Sequence, residues 1–403
     1  MQQSFKTTDV LIPKMDRFDK WAVIACDQFT SDRAYWDRVK ETVGSEPSTY
    51  HLVFPEIDLE KESKERIVKI NNSMVGYVQN DLFVKHPDSF VYVERTLLDG
   101  SIRPGIVGAV DLEQYHYDPK MNPSVGATEQ TVLERVPPRI AVRRNAELEF
   151  SHVILFCNDM TNEIIGCVQK MKNQLPKLYD FMLMEDGGHI SGWLISGENA
   201  QKIQGVIDEY ATRAEGVPFL VADGNHSLVT AKTWYEELKA NNPGMDLTGH
   251  PERYAMVELE NIQDPSIQFE PIHRVIFDTD TKKLLADMEA IASADGAPVT
   301  WIVGNQKGTI NLNIPKGQLP VAVLQQFLDL WLKDNAGKID YVHDCDAVEQ
   351  FAKQNNTLGL LLPVFDKKEL FEFGATGHIL PRKTFSLGHG REKRYYLEGR
   401  KIR

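Results

Sequence analysis

The run Val217-Pro218-Phe219-Leu220-Val221-Ala222-Asp223-Gly224-Asn225-His226-Ser227 constrains the fold of this chain more than any other stretch. Its apolar half follows Gly216, is too short for a buried helix, and reads as an interior strand that stops at Asp223-Gly224. Beyond the stop, Leu228, Ala231, Trp234, Tyr235 and Leu238 recur at helical spacing, which predicts a helix beginning in the Asp223–Ser227 turn. Such a turn is suited to anions, because the first N–H groups of a helix lack intrahelical acceptors and carry the positive end of its dipole. Gly224 would let a ligand approach the backbone. The same residues also fit a plainer arrangement, with Asp223 and Ser227 capping the helix and His226 packed on the core.

A chain of 403 residues, 42% of them hydrophobic, exceeds what one core usually holds, since single cores rarely grow past about 250–300 residues. Two domains are expected, 1–278 and 279–403. The net charge of −13 argues against a nucleic-acid partner while allowing a local basic pocket. Cys26, Cys157, Cys167 and Cys345 are scattered, with no Cys-x-x-Cys pair, as in a reduced cytoplasmic protein. The N-terminal residues lack a secretory pattern and no apolar run approaches a membrane span, so a soluble protein without a membrane partner is expected. Monomer and homodimer both stay open.

Strand and helix signals alternate along the chain, predicting an α+β (mixed α/β) architecture. Trp21–Cys26 reads as a strand ending at Asp27-Gln28, with Thr30-Ser31-Asp32 opening a helix that carries Tyr35, Trp36 and Val39. Residues 90–95 and 105–111 read as a hairpin turning at Asp99-Gly100. Arg135, Arg139, Arg143 and Arg144 form a basic cluster whose guanidinium forks suit phosphate; pairing with Glu129, Glu134, Glu147 and Glu149 is the alternative. His273-Arg274 is either a ligand pair or a solvent-facing strand start. The donor-rich tail from Gly377 to Arg391 either folds back over a ligand or forms a surface loop.

Asp223-Gly224-Asn225-His226-Ser227, Glu129-x-Thr131, Asp264-Pro265 with His273-Arg274, and Pro381-Arg382-Lys383-Thr384 occur in an order that resembles the DUF1015 family. The central motif of that family is usually Asp-Gly-His-His-Arg, and the resemblance spans nearly the full chain. The motif is also similar to that of the ParB/sulfiredoxin-like superfamily, particularly SerK, the free L-serine kinases that use a nucleotide to make O-phosphoserine. Pro381 to Phe385 resembles the Pro-Lys-Thr-Thr-like segment that ends SerK. The resemblance implies a ParB/sulfiredoxin-like nucleotide-binding core with large insertions and a smaller C-terminal α/β substrate-binding domain. This chain departs from it at Asn225-His226-Ser227, where a hydroxyl replaces the motif arginine. The acid that follows the first strand in SerK corresponds to Asp32, with Asp27 the competing choice.

The resemblance implies a phosphotransferase acting between a nucleotide, ATP or ADP, and the hydroxyl of serine or a related hydroxy acid or phosphorylated small molecule. Asp32 or Asp27 would accept the hydroxyl proton. Asp223, Gly224, Asn225, His226 and Ser227, with Glu129 and Thr131, would hold phosphates, and His226 would act at the reacting centre. Arg135, Arg139 and Arg143 would replace the lost positive charge. Asp223 or Glu129 would bind Mg²⁺. His273, Arg274, Lys383 and Thr384 would bind substrate. A non-catalytic nucleotide or metabolite sensor is the alternative, because one site fold serves several functions. There is no Walker A sequence or kinase glycine loop, and the central turn lacks the cysteine that sulfiredoxin-like chemistry needs.

Overall fold

The computed structural model describes residues 3–403 apart from 31, 62–63, 119–120, 122, 130–135, 376–379 and 382. The chain gathers into two compact units, one of Met1–Ile267, Leu370–Ile379 and Gly390–Arg403, the other of Gln268–Glu369 and Leu380–His389. The sequence reading drew the division at 278 and gave the whole C-terminal end to the smaller part. The chain instead returns, because Gly399–Lys401 pairs antiparallel with Leu148–Phe150 and meets Leu11 of the strand Thr8–Pro13.

Five strands form the middle of the larger unit's mixed sheet: β1 (Phe83–Thr96), β2 (Ile102–Asp111), β3 (Ile154–Cys157), β4 (Phe219–Asp223) and β5 (Tyr254–Asn261). The first two are the hairpin expected from the sequence, and Gly100 turns it with φ +84°. β2 pairs antiparallel with β5, β5 runs parallel to β3, and β3 is antiparallel to β4. Six helices of this unit matter for the site: α1 (Arg33–Val43), α2 (Lys64–Gln79), α3 (Val136–Arg143), α4 (Glu163–Met171), α5 (Gly197–Arg213) and α6 (Asn225–Asn241).

Successive strand residues point to opposite faces, and here the two faces feed two separate cores. Phe90, Tyr92, Ile106, Val257 and Leu259 are buried with Ile164 and Val168 of α4, Ile203 and Ile207 of α5, and Leu228 and Trp234 of α6. Val91, Val93, Val107 and Met256 are buried instead with Trp21, with Tyr35 and Trp36 of α1, and with Ile70 and Met74 of α2. Covering both faces explains why these strands read as almost unbroken apolar runs. A one-residue slip would exchange the two sets, so the register is strongly specified.

One row breaks the apolar rule. Glu258 and Glu260 lie two and four residues beyond Met256, hence on its face, and both are buried. Gly105 makes room for them, since a Cβ there would collide with the Glu258 carboxylate. Buried charges are tolerated when paired. Glu258 meets Arg394 Nε at 2.6 Å, and Glu260 meets Arg103 Nε at 3.2 Å.

The smaller unit carries a five-stranded sheet in the order Gln306–Leu312, Ala292–Val303, Leu358–Leu361, His273–Phe277, Lys338–Val342, with each neighbouring pair antiparallel. Helices Thr281–Glu289, Pro320–Asp334 and Cys345–Ala352 accompany it. Among the described residues, no helix is long and apolar enough to cross a membrane.

Candidate functional site

The strand–turn–helix forms as the sequence predicts. β4 ends at Asp223, Gly224 follows with φ +78°, and α6 starts at Asn225. Glycine is needed there for two reasons. The left-handed backbone disfavours a side chain, and a Cβ would lie 2.9 Å from Val153 Cγ2 and 3.0 Å from Val153 Cα. Thr128 ties the turn to the neighbouring chain: its hydroxyl donates to Val221 O at 2.5 Å and accepts from Asn225 Nδ2 at 3.4 Å.

Part of the expected anion seat is already engaged. The Gly224 N–H donates to Asp223 Oδ1 at 2.9 Å, and the Ser227 N–H donates to Gly224 O at 2.9 Å. Asn225 and His226 hold the first helical positions, whose main-chain donors lack intrahelical acceptors. His226 is half-buried rather than a core residue. Asp223 Oδ2 pairs with Lys393 Nζ at 2.9 Å.

His152, which the sequence pattern places in a strand, stands beside the turn. β3 and β4 are antiparallel with Asp223 opposite Ile154, so His152 emerges beside the turn. Its ring is buried; Nδ1 lies 2.8 Å from the Tyr396 hydroxyl and Nε2 lies 3.8 Å from Asp27 Oδ2. Asp27 reaches this place because Val23–Ile24 pairs antiparallel with Tyr395–Tyr396. The Tyr396 hydroxyl accepts from the Cys26 N–H at 3.3 Å. Burial, reinforced by Cys26 and Asp27, holds the Tyr396 phenol far above its ordinary range, so it keeps its proton and can donate it to Nδ1. The Nε2 edge of the ring faces Asp27. Burial and Asp27 push the Cys26 thiol up to about 11, which makes it a neutral thiol rather than a thiolate nucleophile at neutral pH.

The segment from Arg391 to Tyr396 is clasped by sheet arginines. Arg95 donates to Gly187 O at 3.0 Å, Lys393 O at 2.9 Å and Arg391 O at 2.8 Å, while Arg103 donates to Glu392 O at 2.7 Å. Arg394 bridges Glu258 and Glu398, the latter at 2.7 Å. Burial, opposed by Arg103 and reinforced by Glu258, raises the Glu260 carboxyl to about 8. Acidic residues at alternate positions of an interior strand were the one sequence signal for this network.

A cavity of about 160 Å³ opens beside the turn. Its walls include Phe54, Met74, Val142, Leu228 and Met256, and its polar lining includes Ser227, His152, Tyr396, Arg139 and Arg143. The basic cluster therefore shares a cavity with the central turn, yet both arginines are paired. Arg139 bonds Glu56; Arg143 lies 3.4 Å from Glu149 and 3.3 Å from Glu252. Thr131 and Arg135 lie outside the described residues.

The remaining candidates are placed as follows. Asp32 is exposed and caps α1, its Oδ1 accepting the Tyr35 N–H at 3.0 Å, so that carboxylate serves the helix while Asp27 faces His152. Glu129 is half-buried, one residue after Thr128. In the smaller unit, His273 is buried, accepting from the Leu362 N–H at 3.2 Å with Cys345 Sγ 3.1 Å from its Nε2. Arg274 is also buried and donates to Gln325 Oε1 at 3.2 Å, so both residues of the proposed ligand pair are interior. Lys383 is exposed with φ +61°, and the buried Thr384 hydroxyl donates to Pro381 O at 2.6 Å. Of the two donors expected for Mg²⁺, Asp223 has both oxygens engaged, by Lys393 and by the Gly224 N–H. Among the described residues, no group of three or more His, Cys, Asp or Glu side chains stands together in a metal-holding arrangement.

The model of a family described as a protein of unknown function, DUF1015, matches residues 10–362, and the chain belongs to that family. No curated protein matches it. Among solved structures, the chain is similar to a free serine kinase variant in complex with AMP, at 11% identity over 73% of this chain and 92% of that one, with TM-score 0.41. It is similar to a conserved hypothetical protein from Pyrococcus furiosus, at 11% identity over 73% and 94%, with TM-score 0.36. A third is SbnI with a C-terminal truncation from Staphylococcus aureus, at 8% identity over 70% and 83%, with TM-score 0.37.

Proposed function

We propose that this DUF1015 chain is a small-molecule phosphotransferase of the SerK kind, moving a phosphoryl group between ATP or ADP and the hydroxyl of serine or a related hydroxy acid. The observation that supports this most is the convergence on one turn of a helix N-terminus and the Asp27–His152–Tyr396 chain. Phosphoryl transfer asks a protein mainly for positioning and charge stabilisation. The acceptor oxygen would form a bond to the terminal phosphorus as the bond from phosphorus to the bridging oxygen breaks. The shortened nucleotide leaves with that electron pair, and the hydroxyl proton passes to Asp27, whose Oδ1 accepts from Gln28 Nε2 at 3.1 Å and whose Oδ2 lies 3.8 Å from His152 Nε2. Asn225 and His226, at the start of α6, would receive the phosphates. Asp27 takes this role rather than Asp32 because it lies beside His152 at the turn, whereas Asp32 Oδ1 caps α1.

A second reading has its own support. The cations near the turn already have carboxylate partners: Lys393 with Asp223, Arg139 with Glu56, and Arg143 with Glu149 and Glu252. That pairing favours a nucleotide or metabolite sensor, in which binding rather than chemistry is the output. One experiment separates the two. The pure protein is incubated with ATP or ADP, Mg²⁺ and a panel of hydroxy acids, and nucleotide products and phosphorylated acceptors are measured. Turnover lost in Asp27→Asn supports the enzyme, nucleotide-dependent thermal stabilisation without turnover supports the sensor, and neither response refutes both.

A further inference from the structure

The cavity beside His152 has the wrong lining for serine. Serine would bring one CH₂ and a hydroxyl to walls made by Phe54, Met74, Val142, Leu228 and Met256. Its volume of about 160 Å³ matches a larger apolar body, since an apolar cavity of about 150 Å³ takes a benzene ring. A ligand group that covers these apolar walls gains by burial. The polar groups are not spread evenly in their availability. Arg139 and Arg143 are paired with carboxylates, and the Thr230 hydroxyl donates to His226 O at 2.7 Å. His152 and Ser227 stand at the central turn, where Asp27 also lies within 3.8 Å of the imidazole.

We propose that this cavity receives the apolar side chain of a 2-hydroxy acid, an aromatic ring or branched aliphatic group of about benzene size, with the acid's hydroxyl turned toward His152 and Asp27. The choice of a 2-hydroxy acid, and of its hydroxyl as phosphoryl acceptor, rests on the phosphotransferase reading; the binding of an apolar body in the cavity does not.

Calorimetric titration of the full chain with 3-phenyllactate, 2-hydroxyisocaproate, lactate and L-serine tests it. Lactate and phenyllactate differ only by the group assigned to the cavity. Burying that group should tighten binding by roughly 10- to 150-fold over lactate. Ala231→Leu, which adds three carbons to a cavity wall on α6, should erase the difference. Val142→Phe fills the cavity from α3 at a half-buried position and supplies the same readout if Ala231→Leu does not fold. Equal affinity for lactate and phenyllactate, or an undiminished preference in a folded cavity-filled variant, overturns the proposal. Tight phenyllactate binding without phosphorylation by ATP or ADP supports the binding site and refutes the assignment of that hydroxyl as the phosphoryl acceptor.

Discussion

Replacing Lys393 with methionine keeps the length of the side chain and removes the cation opposite Asp223. The two groups are 2.9 Å apart, with side chains 7% and 17% exposed. At an effective dielectric constant of about 20, the gross attraction at that distance is about 6 kcal/mol. Most of it is offset by the desolvation of both ions, and stripping one partner from a buried pair typically costs about 3–5 kcal/mol. Asp223 keeps the Gly224 N–H and some contact with solvent, which places Lys393→Met below that range, at about 2–3 kcal/mol. Adding Asp223→Asn removes the stranded charge, so the double variant should recover at least about 1 kcal/mol relative to the sum of the singles. Urea unfolding followed by far-ultraviolet circular dichroism gives all the legs of the cycle. A single-variant loss below about 0.5 kcal/mol, or strictly additive losses, would show that the pair is not a buried interaction and that the turn is not anchored through Lys393.

Gly224→Ala should destabilise by about 2 kcal/mol through its left-handed backbone and the approach of Val153, while Gly205→Ala, on the exposed side of α5 with open space around it, should stabilise by about 0.5–1 kcal/mol. Opposite signs in thermal melts check the geometry of the turn. His273 is depressed from 6.5 to about 4 by burial, with Arg274 adding to the effect. A histidine kept neutral in the fold but protonated when unfolded contributes stability above pH 6.5 that is lost as pH falls toward 4, at up to about 1.4 kcal/mol per pH unit. The protection factor of the Leu362 amide, its exchange rate divided into the intrinsic rate at each pH, should therefore fall across that window, and a constant protection factor would contradict it. With its thiol near 11, Cys26 should react with iodoacetamide at pH 8 roughly two orders of magnitude more slowly in the folded chain than in urea, as read from its peptide by mass spectrometry.

The features legible in the sequence are those that depend on local periodicity. The switch from the Phe219–Ala222 run to the helical spacing of Leu228, Ala231 and Trp234 marks β4, the turn and α6 without tertiary information. The hairpin at Asp99-Gly100 and the helix entry at Asp32 are legible for the same reason. What stayed hidden depends on register between distant strands. His152 becomes a neighbour of Asp223 only because β3 runs antiparallel to β4, and Asp27 joins it only because Val23–Ile24 pairs with the strand at Tyr395–Tyr396. No spacing along the chain encodes either contact. The terminal return is of the same kind, since three residues, Gly399–Lys401, carry the C-terminal end back to the larger unit. The arginine cluster shows the converse limit: composition raised phosphate binding and pairing as alternatives, and the Arg143–Glu149 contact comes from the second.

Asp27, 3.8 Å from His152 beside the Gly224 turn, is the proposed acceptor of the proton from a hydroxyl undergoing phosphorylation. The most direct test measures nucleotide-dependent product formation by the unmodified chain, Asp27→Asn and Asp32→Asn side by side. Asparagine still caps a helix, so Asp32→Asn should fold normally and keep its activity, whereas Asp27→Asn should lose about 10²- to 10⁴-fold. Loss of activity in Asp32→Asn with retention in Asp27→Asn would instead assign the proton acceptor to Asp32.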